Sequence, residues 1–250
     1  MNARLVFFGS LRELLTPPHR EHGVVDYAVR RRASVKDVIE ALGPPHTEVG
    51  RILVNGEEAG FDHIIEPRQG VEIHPVSAPF DVFSATRLRP DPLATLTFLV
   101  DANVGRLATL LRLLGFDAAF DRRWDDAELA AMAETEGRVL LSKDHRLLKR
   151  RQIVYGRLIR SAMPWDQLAE ALHFFGLTPP YAPFSRCLRC NVVLEPTDKA
   201  RVLDRLLPLT RRYYENFHIC PCCGRIYWRG SHHAAMLARV EELAPLPRDG

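Results

Sequence analysis

"FLVDANVGRLATLLRLLGFD", residues 98–117, is the stretch on which the reading of this chain turns. Phe98, Leu99 and Val100 make a short apolar run suited to a buried strand, and Asp101 follows at once. A helix comes next, with apolar residues recurring at Val104, Leu107, Leu111 and Leu114. In an open α/β sheet the carboxyl ends of the strands form the crevice where ligands bind, so Asp101 stands where a charge can act. The competing role is structural, because an Asp just ahead of a helix also serves as its N-cap. On this stretch alone both roles stand.

The same rhythm continues downstream: "FDAAF", a helix over about 126–136, "RVLLS", "QIVYGRLIR" and a helix "WDQLAEALHFF". Alternating strands and helices predict a mostly parallel sheet with right-handed crossovers. "RVLLSKDHRLL" puts Asp144 after its strand as Asp101 follows the first, and "DRRWDDAELAAMA" begins a helix at Asp125 or Asp126, with Asp121 just before. Each acid has a structural alternative. Asp125 and Glu128 have the spacing of a capping pair, and Asp144 can cap the turn toward "HRLL". Three acids brought by three strand ends to one crevice would repel one another, and a divalent cation relieves that repulsion. Mg²⁺ and Mn²⁺ take oxygen ligands and keep several waters, which suits a few carboxylates with open positions. The sequence carries no Walker-type loop, nucleophile elbow or HExxH motif.

Upstream, residues 1–79 give strand, strand, helix, strand, strand: "ARLVFFG", "VVDYAV", a helix opening at Ser34, "RILVNG" and "VEIHPV". Ser34 and Asp37 have capping-box-like spacing, and Gly43-Pro44-Pro45 ends that helix. The order predicts a β-grasp fold. Residues 80–93, "FDVFSATRLRPDPL", lack a sustained period and read as a linker between this unit and an α/β domain over 94–180. The remainder, 181–250, holds all five cysteines, between residues 187 and 223, and reads as a zinc ribbon with a C-terminal tail.

"CLRC" and "CPCCG" supply Cys187, Cys190, Cys220 and Cys223, two knuckles able to hold one structural Zn²⁺ tetrahedrally across 29 intervening residues. Cys222 is the odd cysteine, a rival for Cys220 or a free thiol. So local a cluster suits a reducing compartment better than a disulfide framework. Together with the absence of an apolar run of about 20 residues, it predicts a cytoplasmic protein that does not enter membranes. The chain is 46% hydrophobic and 26% charged, ordinary for a globular protein, with net charge +3. The charge is uneven: residues 186–239 carry ten Lys/Arg against four Asp/Glu. That excess points to a polyanion partner. Arg211 and Arg212 adjoin Tyr213, Tyr214 and Phe217, and cations interleaved with aromatics suit unpaired nucleic-acid strands.

The quoted stretch, with "DDAEL" and "EGRVLLSKDHRLL", resembles the Mut-seven-C family of PIN-like ribonuclease domains. Asn103-Val104 stands where the family text has Met-Leu, and Ser142-Lys143 where it has Thr-Arg, while the acids are kept. The resemblance implies Asp101, Asp126 and Asp144 as catalytic metal-binding acids, with Asp125 a rival for the middle place. It also implies RNA as substrate, with Arg106, Lys143 and Arg146 near enough in sequence to meet phosphate. "YWRGSH" resembles the same family and adds Trp228, Arg229, Ser231 and His232 as possible substrate contacts. "VFFGSLREL", "SVKDVIEAL", "ILVNGEE" and "GVEIHPV" resemble ubiquitin-like sulfur carriers, which act through a free Gly-Gly terminus. Here the chain continues "SAPFD", so the unit reads as a docking module for a protein partner. The main expectation is an RNA phosphodiesterase using Mg or Mn. A noncatalytic RNA binder and a sulfur-carrier or conjugation adaptor are the alternatives.

Overall fold

The computed structural model describes residues 1–243; within its last helix the described side chains are those of residues 235–240 and 242. Alternation builds the N-terminal sheet. In β1 (Asn2–Phe7) the residues Ala3, Leu5 and Phe7 point inward, the period-2 pattern of a half-buried strand. β1 pairs antiparallel with β2 (Val24–Ala28). α1 (Val35–Leu42) follows, its N-cap Ser34 accepting from the Asp37 amide at 3.1 Å. Gly43 ends it at φ 134, where a Cβ would lie 2.2 Å from the Leu14 carbonyl oxygen. β3 (Val49–Val54), β4 (Glu57–Glu58) and β5 (Gly70–Pro75) complete the order β2-β1-β5-β3-β4, with β1 and β5 parallel in the β-grasp manner. β4 was not expected from the sequence. It is two residues long and joined to β3 by Asn55-Gly56, both at positive φ, the chemistry of a tight hairpin.

The central sheet is entirely parallel, β7-β6-β8-β9. Its elements are β6 (Phe98–Val100), α2 (Gly105–Leu113), β7 (Ala118–Ala119), α3 (Asp126–Glu136), β8 (Val139–Ser142), α4 (His145–Leu148), β9 (Gly156–Leu158) and α5 (Pro164–Phe174). Helices cover both faces. Phe98, Val100, Val139 and Leu141 pack with Leu107, Leu111, Leu168 and Leu172 on one side, while Leu99 and Leu140 pack with Leu129, Leu147 and Leu148 on the other. The helix expected to follow Asp101 opens as a 3-10 turn, Ala102–Val104, before α2 begins.

Both edges of this sheet are sealed by side chains from its neighbours. At β9, Glu48 accepts from the Leu158 amide at 2.8 Å and from Arg157 Nη1 at 2.6 Å. At β7, the Asn191 side-chain oxygen accepts from the Ala118 amide at 3.1 Å, and its Nδ2 donates to Asp117 at 2.8 Å. An unpaired strand edge invites further pairing, and these carboxylate and amide groups occupy it. Residues 80–93 form neither helix nor strand, yet Val82, Leu88 and Arg89 are buried. Arg89 donates to the carbonyls of Val49 and Thr47 at 2.9 Å each, and lies 5.1 Å from the Phe80 ring centroid. Burial lowers its pKa to about 10.

The C-terminal unit is a three-stranded antiparallel sheet, β10 (Glu195–Thr197), β11 (Phe217–Ile219) and β12 (Ile226–Tyr227). α6 (Lys199–Val202) and α7 (Pro208–Tyr213) lie between its first two strands. α8 (Ser231–Leu243) returns Val240 to the core around Phe98. Among the described residues no helix is long and apolar enough to cross a membrane.

Candidate functional site

Parallel pairing of β6 with β8 brings Val100 level with Leu141, so Asp101 and the Ser142–Asp144 turn leave the same edge of the sheet. Asp101 occupies the N-cap position of the 3-10 turn but makes no side-chain cap bond. Its Oδ2 instead accepts from Ser142 Oγ and Asn103 Nδ2, each at 2.6 Å. Ser142 Oγ in turn accepts from the Asp144 amide at 2.8 Å, and Asn103 Oδ1 from the Lys143 amide at 3.1 Å. The two strand ends are thus tied through one hydroxyl and one amide, which fix the Asp101 carboxylate with Oδ1 left over. Ser142 and Asn103 were missed as site residues. The available signal was their standing where the family text has other residues.

Asp144 does cap α4, its Oδ1 accepting from the amides of Arg146 at 2.6 Å and Leu147 at 3.3 Å. Asp125 is committed more fully. It caps α3 in a complete capping box, accepting from Ala127 and Glu128 while Glu128 accepts from its own amide at 2.9 Å. Asp126, the first residue of α3, has among the described residues one ion-pair contact, with Arg150 at 3.8 Å. Asp121 is held by Arg123 at 2.7 Å, which pulls its pKa to about 2. Asp101, Asp126 and Asp144 follow β6, β7 and β8 at the carboxyl end of the sheet without closing on one point. Among the described residues, the set of three or more ligand atoms close enough to share an ion is the cysteine set. Hard carboxylate oxygens on an open edge nonetheless match what Mg²⁺ or Mn²⁺ takes. Arg106 and Arg146 are exposed at this end and Lys143 is half-buried.

The Sγ atoms of Cys187, Cys190, Cys220 and Cys223 all lie within 4.8 Å of one another, and Cys187 and Cys223 are 3.7 Å apart. Tetrahedral zinc with Zn–S near 2.3 Å needs sulfurs about 3.8 Å apart. The set therefore fits a metal ion such as zinc. Cys222 is exposed and outside it. The Tyr227 hydroxyl sits 3.2 Å from Cys187 Sγ and accepts from the Leu188 amide at 3.1 Å. Desolvation pushes the Cys187 thiol up, but Tyr227 and nearby amides outweigh it and lower the pKa to about 6, favouring the ligating thiolate. Buried Arg112 of α2 donates to the carbonyls of Leu188 and Arg189 at 3.1 and 2.9 Å and to Ala118 at 2.8 Å. It binds the first knuckle to the central sheet.

The other expected nucleic-acid contacts divide between the two ends. Arg211, Arg212, Tyr213, Trp228 and Arg229 belong to the cysteine unit, which is anchored through Arg112 and Asn191 at the strand-start end, away from Asp101. Arg211, Arg212, Tyr213 and Arg229 are exposed and Trp228 is half-buried. Ser231 and His232 lie outside the described side chains.

Comparison with known families matches residues 96–240 to the Mut7-C RNAse domain and residues 1–81 to the Mut7-C ubiquitin domain. No curated protein and no solved structure matches. The first match spans more than half the chain and contains Asp101, Asp126, Asp144 and the four-cysteine set. The chain belongs to the Mut7-C RNAse domain family and carries a Mut7-C ubiquitin domain ahead of it.

Proposed function

We propose that this chain is a divalent-metal-dependent ribonuclease that hydrolyses RNA phosphodiester bonds at the carboxyl edge of the central sheet. Asp101, Asp126 and Asp144 would hold Mg²⁺ or Mn²⁺, and the four cysteines would hold a structural Zn²⁺. One observation carries the reading: Asp101 sits at a cap position without capping, and its carboxylate is instead oriented by Ser142 and Asn103. A bound divalent ion polarises the phosphodiester and lowers the pKa of an attacking water. The chain's own part is to fix the Asp101 carboxylate, to present Asp144 beside it through Ser142, and to meet phosphate with Arg106, Lys143 and Arg146. The cysteine unit aids RNA binding through its basic excess. The ubiquitin-like unit gives up the face bearing Glu48 to the central sheet, and its outer face, with Arg4, Phe8 and Asp26 exposed, remains for a protein partner.

The test is incubation of the purified chain with end-labelled RNA and Mn²⁺ or Mg²⁺, beside Asp101→Asn. The Asn amide oxygen can still accept from Ser142 and Asn103 but is a poor ligand for a hard cation, so cleavage should vanish while the melt is nearly unchanged. Equal cleavage by Asp101→Asn, or loss only through unfolding, would sink the assignment.

A further inference from the structure

The cysteine unit carries a cleft of about 1010 Å³ between residues 181–185 and the turn after α7, and it continues into a second of about 540 Å³ past Trp228. Tyr181, Tyr213, Tyr214, Tyr227 and Trp228 line the larger one, with Arg229 at its rim. Two features mark this as a built surface. Trp228 is braced from behind by Phe217, buried, and Tyr214, at centroid distances of 6.3 and 6.5 Å. Tyr213, by contrast, is 65% exposed, with the Arg212 guanidinium 5.4 Å from its ring centroid. Among the described lining residues the charged ones are Glu215, engaged by Lys199 at 2.6 Å, and Arg229, while Arg212 stands beside the cleft through its contact with Tyr213.

The cleft stands at the far end of the nuclease from the carboxylates. α2 begins beside Asp101 and runs back along β6, and the carbonyls of Leu113 and Leu114 at its other end accept from the amides of Phe184 and Ala182. Its nine residues separate the two by about 14 Å at a rise of ~1.5 Å per residue.

We infer that this cleft is a second RNA subsite, which stacks unpaired bases on Tyr213 and Trp228 and neutralises phosphate with Arg212 and Arg229, gripping single-stranded RNA several nucleotides from the bond to be cut. Aromatic faces accept any base and arginines the backbone, so the ligand class is single-stranded RNA with little sequence preference. A stacked strand rises about 3.4 Å per nucleotide, so roughly four or more nucleotides are needed to reach from cleft to carboxylates. The chain would therefore favour long single strands over very short ones. This rests on the ribonuclease reading for its consequence, though the binding itself does not.

The full zinc-loaded chain carrying Asp101→Asn, without added Mg²⁺ or Mn²⁺, is titrated into a fluorescein-labelled oligouridylate dodecamer and a duplex RNA of equal length. The single strand should bind more tightly. Adding Tyr213→Ala should weaken it about tenfold while Tyr213→Phe does not, since stacking needs the ring and not the hydroxyl. Arg229→Ala should weaken it too and lower the slope of log affinity against log salt by about one. In cleavage by the otherwise native chain, Tyr213→Ala should raise KM for the dodecamer until it matches that for a trinucleotide. Duplex binding as tight as single-strand binding would overturn the proposal. So would a Tyr213→Ala chain that keeps its parent's affinity, which would leave the cleft to a protein ligand. If no RNA is cut at all, the ribonuclease reading fails while the titrations still decide the cleft.

Discussion

Replacing Glu48 with Ala should loosen the seam between the ubiquitin-like unit and the nuclease sheet, and the size of the effect follows from what is left behind. Glu48 is 2% exposed and accepts from Arg157 at 2.6 Å and from the Leu158 amide at 2.8 Å. Breaking a buried ion pair from one side costs about 3–5 kcal/mol, because the remaining charge is stranded. A buried amide without a partner costs about 1–3 kcal/mol, and the two penalties overlap. Arg157 keeps two consolations, Glu170 at 3.7 Å and the Phe174 ring at 4.0 Å. The lower end therefore applies, about 3 kcal/mol. With a urea m-value of about 3 kcal/mol/M for a chain of this size, the unfolding midpoint should fall by about 1 M. Urea melts followed by far-ultraviolet circular dichroism measure it. The double variant Glu48→Ala with Arg157→Leu should regain part of the loss, since no guanidinium is then stranded. A midpoint within about 0.2 M of the parent, or a double variant worse than the sum of its parts, would refute the reasoning.

Asp125→Ala should cost about 1 kcal/mol through the lost cap with RNA cleavage retained, and Asp126→Asn should do the reverse; thermal melts beside cleavage assays decide which acid holds the middle place. The purified chain should contain one zinc by elemental analysis, kept by Cys222→Ser and lost by Cys220→Ser. Its removal should raise hydrogen exchange along α2, because Arg112 loses the Leu188 and Arg189 carbonyls. His46 is buried against Glu40 and the Ile153 carbonyl, and burial lowers its pKa below 6.5, opposed by Glu40. Its neutral form belongs to the folded state, so its contribution is complete above pH 6.5 and falls away as the pH drops through the window below. Urea midpoints compared at neutral and mildly acidic pH should show that loss in the parent, and His46→Gln should flatten it.

Local chemistry was legible in the sequence, and long-range packing was not. Ser34, Gly43 and the Asp125–Glu128 pair announced their helix ends because caps depend on a few adjacent residues. The order of strands followed from the same local periods. His46, Thr47 and Glu48 follow a helix-ending Gly-Pro-Pro and look like a solvated turn, yet all three are buried, because their partners near Ile153 and Leu158 lie more than a hundred residues away. Residues 80–93 read as a linker for want of periodicity and form neither helix nor strand, but the burial of Arg89 was not legible, because its partners Thr47, Val49, Val154 and Tyr155 lie far away in the sequence. At the candidate site the acids stood out by type and position. The residues that orient Asp101 did not, since a lone Ser and Asn carry no pattern until two strands are laid side by side.

The sealing of β9 and β7 also sets an order of events during synthesis. The ubiquitin-like unit emerges first, so Glu48 leaves the ribosome on the order of ten seconds before the β9 strand it meets, at about 5–20 residues per second. The opposite edge has no such host in waiting. β7 stays open until Asn191 and the first knuckle arrive, where Arg112 holds the Leu188 and Arg189 carbonyls, and Cys220 and Cys223 follow later. Were the four cysteines to hold an ion, its capture would wait on Cys220 and Cys223, and a nascent chain starved of metal would keep its cover over β7 less firmly seated.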